Sequence, residues 1–149
     1  MSNSPVGVRI ATGDDLRFVA SSWFHSVLKS RVSVTELPYA IFKLGMEANI
    51  QALFKKSKVL IAFASETPDE ILGYAVLETR RIWDKLENRG VVSVERVLVH
   101  HVYVKQMYRR QGIARSLIGG AKTYTHPANP ETGKKFAISL GMTYNPRLA

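Results

Sequence analysis

The chain has 149 residues, the size of one ordinary domain, and its 46% hydrophobic and 22% charged residues mark a folded globular sequence rather than a disordered one. It contains no cysteine, which excludes disulfides and thiolate metal sites. The 21 Lys and Arg against 12 Asp and Glu leave a net charge of +9, which favours anionic partners: a phosphate-bearing cofactor, nucleic acid or a charged surface.

No apolar run approaches the roughly 18–20 residues of a membrane span, and the opening stretch MSNSPVGVRIATGDD lacks the apolar core of a signal peptide. A cytoplasmic protein without membrane attachment is expected. The histidines His25, His100, His101 and His126 show no metal-ligand spacing with carboxylates, so no metal is assigned.

Val6, Val8 and Ile10 alternate with Gly7, Arg9 and Ala11, the pattern of a short strand. Thr12-Gly13-Asp14-Asp15 reads as a helix start, with Thr12 as cap and two aspartates at the positive end of the dipole. Leu16, Val19, Ala20, Trp23, Phe24, Val27 and Leu28 recur at three- and four-residue steps and predict an amphipathic helix. A second helix is expected to open at Thr35, with Pro38 in its first turn and a stripe of Tyr39, Phe42, Met46, Ile50 and Leu53. Lys55, Lys56 and Lys58 close it as a solvated basic end.

Val59 to Ala64 and Ile71 to Leu77 are apolar runs of strand length joined by a turn, and predict a hairpin. Arg80 to Gly90 is charged, contains Trp83, and reads as a mobile connection. Val91 to Val104 is too long for an ordinary strand of about 5–6 residues, so a bulge or bend is expected within it. Gln111 to Thr123 reads as a helix, Thr125 to Gly133 as a loop, Lys134 to Leu140 as a short helix ended by Gly141, and Met142 to Tyr144 as a last strand. The order β-α-α-β-β-β-α-loop-α-β predicts one α/β (α+β) domain over residues 1–149, a mixed sheet with helices on both faces.

One segment carries chemistry. After Val102-Tyr103-Val104 a basic turn leads to Arg109-Arg110-Gln111-Gly112-Ile113-Ala114, where a helix begins. The first turn of a helix presents backbone N–H groups without intrahelical partners, and the dipole adds positive charge there. Gly112 lacks the Cβ that would block close approach, Ala114 keeps the next turn slim, and Arg109, Arg110 and Arg115 add forked donors for phosphate. The turn has one glycine, so it does not fit the three-glycine dinucleotide fingerprint.

Arg109-x-x-Gly112-x-Ala114 fits the pattern of Gln or Arg, two residues, Gly, one residue, then Gly or Ala, and so resembles the GNAT superfamily of N-acetyltransferases. The stretch HHVYVKQMYRRQGIARSLI resembles that family's fourth strand, pyrophosphate loop and third helix, and KKFAISLGM its last helix. The resemblance implies a mixed, mostly antiparallel central sheet with acetyl-CoA as acyl donor. It assigns the pantetheine amides to the backbone of Val102, Tyr103 and Val104. The pyrophosphate falls to Arg109, Arg110, Gln111, Gly112, Ile113, Ala114 and Arg115.

Family chemistry is direct attack of an amine on the thioester, which calls for a base, an oxyanion donor and an acid for the thiolate. His100 is the preferred base, with an ordinary imidazole titrating near ~6.5, and Glu95 is the second choice, acting through water. Two departures mark a divergent member. Where many members carry a thiolate-protonating tyrosine, this chain has Ala137 beside Phe136; Tyr144 or Tyr124 is the expected substitute. Pro127 and Pro130 forbid an interior strand, so the fifth strand is short or missing, and a loop or the partner subunit of a homodimer would wall that side. The expected function is acetyl transfer from acetyl-CoA to a primary amine; the alternative is a non-catalytic binding or structural module, of the kind short divergent relatives in phage genomes suggest. Nucleic acid is not an expected partner, because no helix shows a recognition face.

Overall fold

A computed structural model gives the fold over residues 6–31, 39–86, 90–109, 111–125, 137 and 141–148. Among the described residues six strands form one sheet in chain order: β1 (Val6–Ile10), β2 (Lys58–Ala64), β3 (Thr67–Leu86), β4 (Gly90–Val104), β5 (Thr123–Tyr124) and β6 (Thr143–Tyr144). The first four pair antiparallel, and β5 joins β4, and β6 joins β5, in parallel. Helices α1 (Gly13–Arg31) and α2 (Tyr39–Lys56) lie between β1 and β2 in sequence, and α3 (Ile113–Ile118) precedes β5. This is the mixed, mostly antiparallel sheet expected.

The start of α1 is locked by a reciprocal cap. The Asp15 amide donates to Thr12 Oγ1 at 3.4 Å, and the Thr12 amide donates to Asp15 Oδ2 at 2.8 Å. Arg9 of β1 forms an ion pair with the same carboxylate. That hydrogen-bonded guanidinium holds the Asp15 carboxyl down to about 2, against desolvation, with the Thr12 amide and hydroxyl assisting.

Each face of the sheet carries its own core. Val19, Trp23 and Phe24 of α1 and Ile50 and Leu53 of α2 pack on Val59, Ile61, Tyr74 and Val76. On the opposite face Ile113, Leu117 and Ile118 of α3 pack on Ala62, Leu72, Ala75, Leu77, Val99 and Val104. Central strands covered on both faces need continuous apolar runs rather than alternation, which accounts for the composition of β2 and of Leu72 to Leu77. β1 is an edge strand. Its alternation holds, but Val6, Val8 and Ile10 are the exposed side, and Gly7 lies under the Phe63 ring, where a Cβ would have no room.

Two expectations are corrected. Arg80 to Gly90 is not a loose connection: Arg80 to Leu86 continues β3 and pairs residue by residue with Gly90 to Arg96 of β4. A two-stranded arm facing water accepts charged side chains, so its composition hid its strand character. Arg80 and Arg96 stand opposite each other, and each is paired off by a neighbouring carboxylate, Glu78 and Asp84. The helix expected from Gln111 to Thr123 stops at Ile118, because Gly119 takes a φ of 58° and the chain turns into β5.

Among the described residues no helix is long and apolar enough to cross a membrane. The expected helix start at Thr35 and Pro38, the loop from His126 to Gly133 and most of the helix from Lys134 to Leu140 lie outside the described residues. Ala137 is described as helical and buried, and the amide of Met142 donates to its carbonyl at 2.9 Å, past Gly141 at a φ of 68°.

Candidate acyl-donor site

The long strand β4 contains the expected bulge. Val76 faces His101 and Leu77 faces Val99, so His100 is the extra residue. At this point β4 loses its second neighbour. β5 pairs with Leu98 and Val99, the Thr125 amide donates to the Val99 carbonyl at 3.1 Å, and no described strand pairs with β4 beyond. The Lys105 amide donates to the Leu72 carbonyl at 2.9 Å, which turns the backbone groups of Tyr103 and Lys105 toward β3. By the alternation of an antiparallel ladder, those of Val102 and Val104 face the opening. The Val104 carbonyl accepts from Arg109 Nε at 2.9 Å; among the described residues nothing pairs with the backbone groups of Val102 or the amide of Val104, which line a free edge.

The chain beyond β4 folds as a tight turn. Gln106–Tyr108 form one 3-10 turn, and Gly112 sits as the N-cap of α3 at a φ of 80°. That left-handed conformation favours glycine. A Cβ on Gly112 would meet nothing within 4 Å, and among the described residues no side chain caps the helix, so the amides of its first turn keep no side-chain acceptor. Arg109, Gln111 and Arg115 are exposed around this cup, Ala114 is partly covered and Ile113 is buried beneath it; Arg110 lies outside the described residues. The turn is pinned from β3: the Tyr108 hydroxyl donates to Glu70, which also accepts from Thr67 Oγ1 at 3.1 Å. The Tyr108 bond lowers the Glu70 carboxyl from its ordinary value and raises the Tyr108 hydroxyl.

At the bulge, His100 is buried within a polar cluster. Its Nδ1 lies 2.6 Å from Thr125 Oγ1 and its Nε2 lies 2.9 Å from Glu78 Oε1. Arg80 grips the same carboxylate through Nε and Nη2 at 2.9 and 2.7 Å, and Lys56 Nζ stands 3.9 Å away. Burial pushes the Glu78 carboxyl up, but the bonds from Arg80 and His100 prevail and hold it below its ordinary value. Burial lowers the His100 imidazole, against the opposing pull of Glu78. The resting state is therefore a neutral imidazole beside an ionised carboxylate. A carboxylate only accepts, so the proton sits on Nε2 and Nδ1 accepts the Thr125 hydroxyl.

The sequence reading singled out His100 but missed Glu78 and Thr125, and took Lys56 for a solvated helix end. One signal was present: Glu78 directly follows a run of apolar strand residues, and a buried carboxylate needs a partner. The other two anticipated catalytic groups lie apart. Glu95 is exposed on the arm opposite Arg81, five residues from His100, or about 16 Å along a strand. Tyr144 is on β6, two strands from β4, half exposed and stacked on Tyr124 at 5.1 Å. Ala137 offers no proton donor. Trp83 stands on the arm, 75% exposed, rather than in the core. His101 points to the α1 face, where its ring stacks on Trp23 at 4.9 Å.

The same architecture recurs in solved structures. A point mutant of the BH1408 protein from Bacillus halodurans superposes with a TM-score of 0.59 at 20% identity, over 92% of each chain. Ribosomal-protein-alanine N-acetyltransferase from Brucella melitensis gives 0.56 at 16% identity, over 93% of this chain and 92% of that one. Aminoglycoside N-acetyltransferase AAC(6')-Iy in complex with CoA gives 0.55 at 17%, over 95% and 90%. At these identities the likeness establishes the fold. No curated protein sequence matches the chain. The family model described as Acetyltransferase (GNAT) family matches residues 29–126, two thirds of the sequence and the whole stretch from α2 through the cup to the vertex of β4 and β5. The chain belongs to the GNAT acetyltransferase family, whose acyl donor is acetyl-CoA.

Proposed function

We propose that this chain transfers the acetyl group of acetyl-CoA to a primary amine by direct attack. The observation that carries this reading is the free edge at Val102 and Val104 running into the uncapped amide cup at Gly112. The donor's shape suits both parts. An extended arm bearing amides can pair with a strand edge as an added strand would, and a diphosphate suits the first turn of a helix. When bound, acetyl-CoA supplies the activated acetyl carbon.

The chain's own residues then have separable tasks. Val102 and Val104 orient the arm through backbone hydrogen bonds, with Tyr103 between them. The amides from Gln111 to Ala114 hold the diphosphate, with Arg109, Arg110 and Arg115 adding charge. Arg109 is already fixed by its bond to the Val104 carbonyl, so its Nη groups are left for phosphate. Of the three anticipated catalytic groups, His100 alone lies within two residues of the free edge, and it is the base we assign. Tyr144 is the hydroxyl left to serve as acid.

Calorimetric titration with acetyl-CoA, followed by a thiol-release assay over a panel of amines, tests the reading. Saturable binding with release dependent on one class of amine is the expected result. No heat at millimolar ligand removes it. The buried Ala137, in the position where the resemblance calls for an acid, favours a second reading, a module that binds acetyl-CoA without turnover. Saturable heat with no thiol release from any amine would select it.

A further inference from the structure

The cluster at the bulge ties three strands together through one imidazole. Glu78 comes from β3, His100 from β4 and Thr125 from the residue after β5. All three are buried, and they meet at the residue where β5 leaves β4 and the free edge begins. His100 is two residues from Val102, about 7 Å along the strand. A ligand lying on that edge with its diphosphate at Gly112 has its far end at this vertex. His100 cannot take a proton from an amine directly, because its accepting nitrogen is already turned on the Thr125 hydroxyl.

We propose that the Thr125 hydroxyl is the group that receives the amine's proton, passing its own to His100 Nδ1, and that Glu78 is a positioning residue that fixes the imidazole in the tautomer this transfer needs. The inference rests on the acetyl-transfer reading. In the step, the amine nitrogen's lone pair forms the C–N bond at the thioester carbon, and the C–S bond breaks with its electron pair going to sulfur. The amine proton goes to Thr125 Oγ1 as the threonine's own proton goes to Nδ1. The imidazolium so formed is held by the Glu78 carboxylate, and its proton replaces, through solvent, the one that the Tyr144 hydroxyl gives the departing thiolate. The arrangement has the logic of a hydroxyl–imidazole–carboxylate triad, recognised by roles rather than by sequence position.

Among the described residues the charged groups around His100 are Glu78 and Arg80 from β3 and Lys56 from α2. Glu78 opposes the other two, so its removal has a defined sign. The ligand-free chain, labelled with nitrogen-15 at histidine, is expected to show His100 as the Nε2–H tautomer. In Glu78→Gln its titration midpoint falls, and the acid limb of kcat/KM moves to lower pH with it. Thr125→Val is expected to lower kcat about a hundredfold with little change in KM for acetyl-CoA, and Thr125→Ser to restore most of the loss.

An Nδ1–H tautomer, or a midpoint and limb unmoved in Glu78→Gln, overturns the assignment to Glu78. If Thr125→Val does not fold, a Thr125→Ser enzyme slowed as much as an alanine variant overturns the relay. Wild-type turnover matched by Thr125→Val sinks the relay and leaves acetyl transfer standing. No turnover by the wild type with any amine overturns both together, and the tautomer still reports whether the cluster is built as described.

Discussion

A Cβ added to Gly73 would sit 2.5 Å from the Tyr103 carbonyl oxygen and 3.1 Å from the Val104 Cα. Backbone meets backbone here, so no rotamer change relieves the contact. Gly73→Ala must push β4 off β3 at Val104, beside the free edge. Overpacking of this kind costs about 1–3 kcal/mol, and the shift carries Val102 and Val104 with it. The expected outcome is a lower Tm and a weaker acetyl-CoA affinity, measured by calorimetry at a temperature where the variant remains folded. An unchanged affinity in the folded variant would show that this edge does not hold the ligand.

The cup makes a prediction of the opposite kind. A Cβ on Gly112 meets no neighbour, so the fold accommodates it apart from the left-handed backbone, which costs an L-residue about 1–2 kcal/mol. The added methyl group would nevertheless stand among the amides assigned to the diphosphate. Gly112→Ala should stay folded and lose acetyl-CoA affinity by at least about tenfold, a loss of about 1.4 kcal/mol. Arg109→Lys should lose a smaller factor, because an ammonium cannot bridge the Val104 carbonyl and a phosphate as the guanidinium fork does. Wild-type affinity in Gly112→Ala would place the diphosphate elsewhere.

What the sequence disclosed and what it hid divide along one physical line. The alternation of β1, the helical steps of α1 and the apolar runs of β2 and β3 are local periodicities, and each is recovered. The cup at Gly112 is local as well, a glycine between a strand and a helix. The excessive length of Val91 to Val104 announced a bulge, but its place at His100 is set by Val76 and Leu77 on the neighbouring strand. Arg80 to Leu86 escaped notice because its strand character comes from its partner rather than from its composition. Glu78 and Thr125 lie 22 and 25 residues from His100, and only cross-strand pairing brings them to it.

The cap of α1 makes the fold sensitive to acid. The Asp15 carboxyl is held at about 2 against an ordinary 3.8, first by the bond from Arg9. A carboxylate lowered in the folded chain contributes stability that is present above its unfolded value and lost as pH falls through the folded one. The shift corresponds to about 2 kcal/mol. Asp15→Asn should therefore be less stable than the wild type at neutral pH, with the gap closing between about pH 4 and pH 2. Thr12→Ala should cost about 1 kcal/mol for the loss of its capping hydroxyl. Denaturant unfolding across this range measures both, and a gap between wild type and Asp15→Asn that is constant with pH would assign the effect to shape rather than charge.

His100 gives the last pH dependence, of the same sign but higher in the scale. Burial holds its imidazole below the ordinary 6.5, while the unfolded chain takes up its proton near that value. Below 6.5 the unfolded state binds more protons, so stability declines as pH falls and levels off once the folded imidazole also titrates. One such group can impose a slope of up to about 1.4 kcal/mol per pH unit. His100→Gln keeps a polar group between Glu78 and Thr125 but cannot titrate. Its stability should be lower than wild type at neutral pH and flatter as pH falls below the ordinary histidine value. Denaturant midpoints at closely spaced pH values make the comparison, and parallel curves for the two proteins would show that His100 takes its proton equally well folded and unfolded.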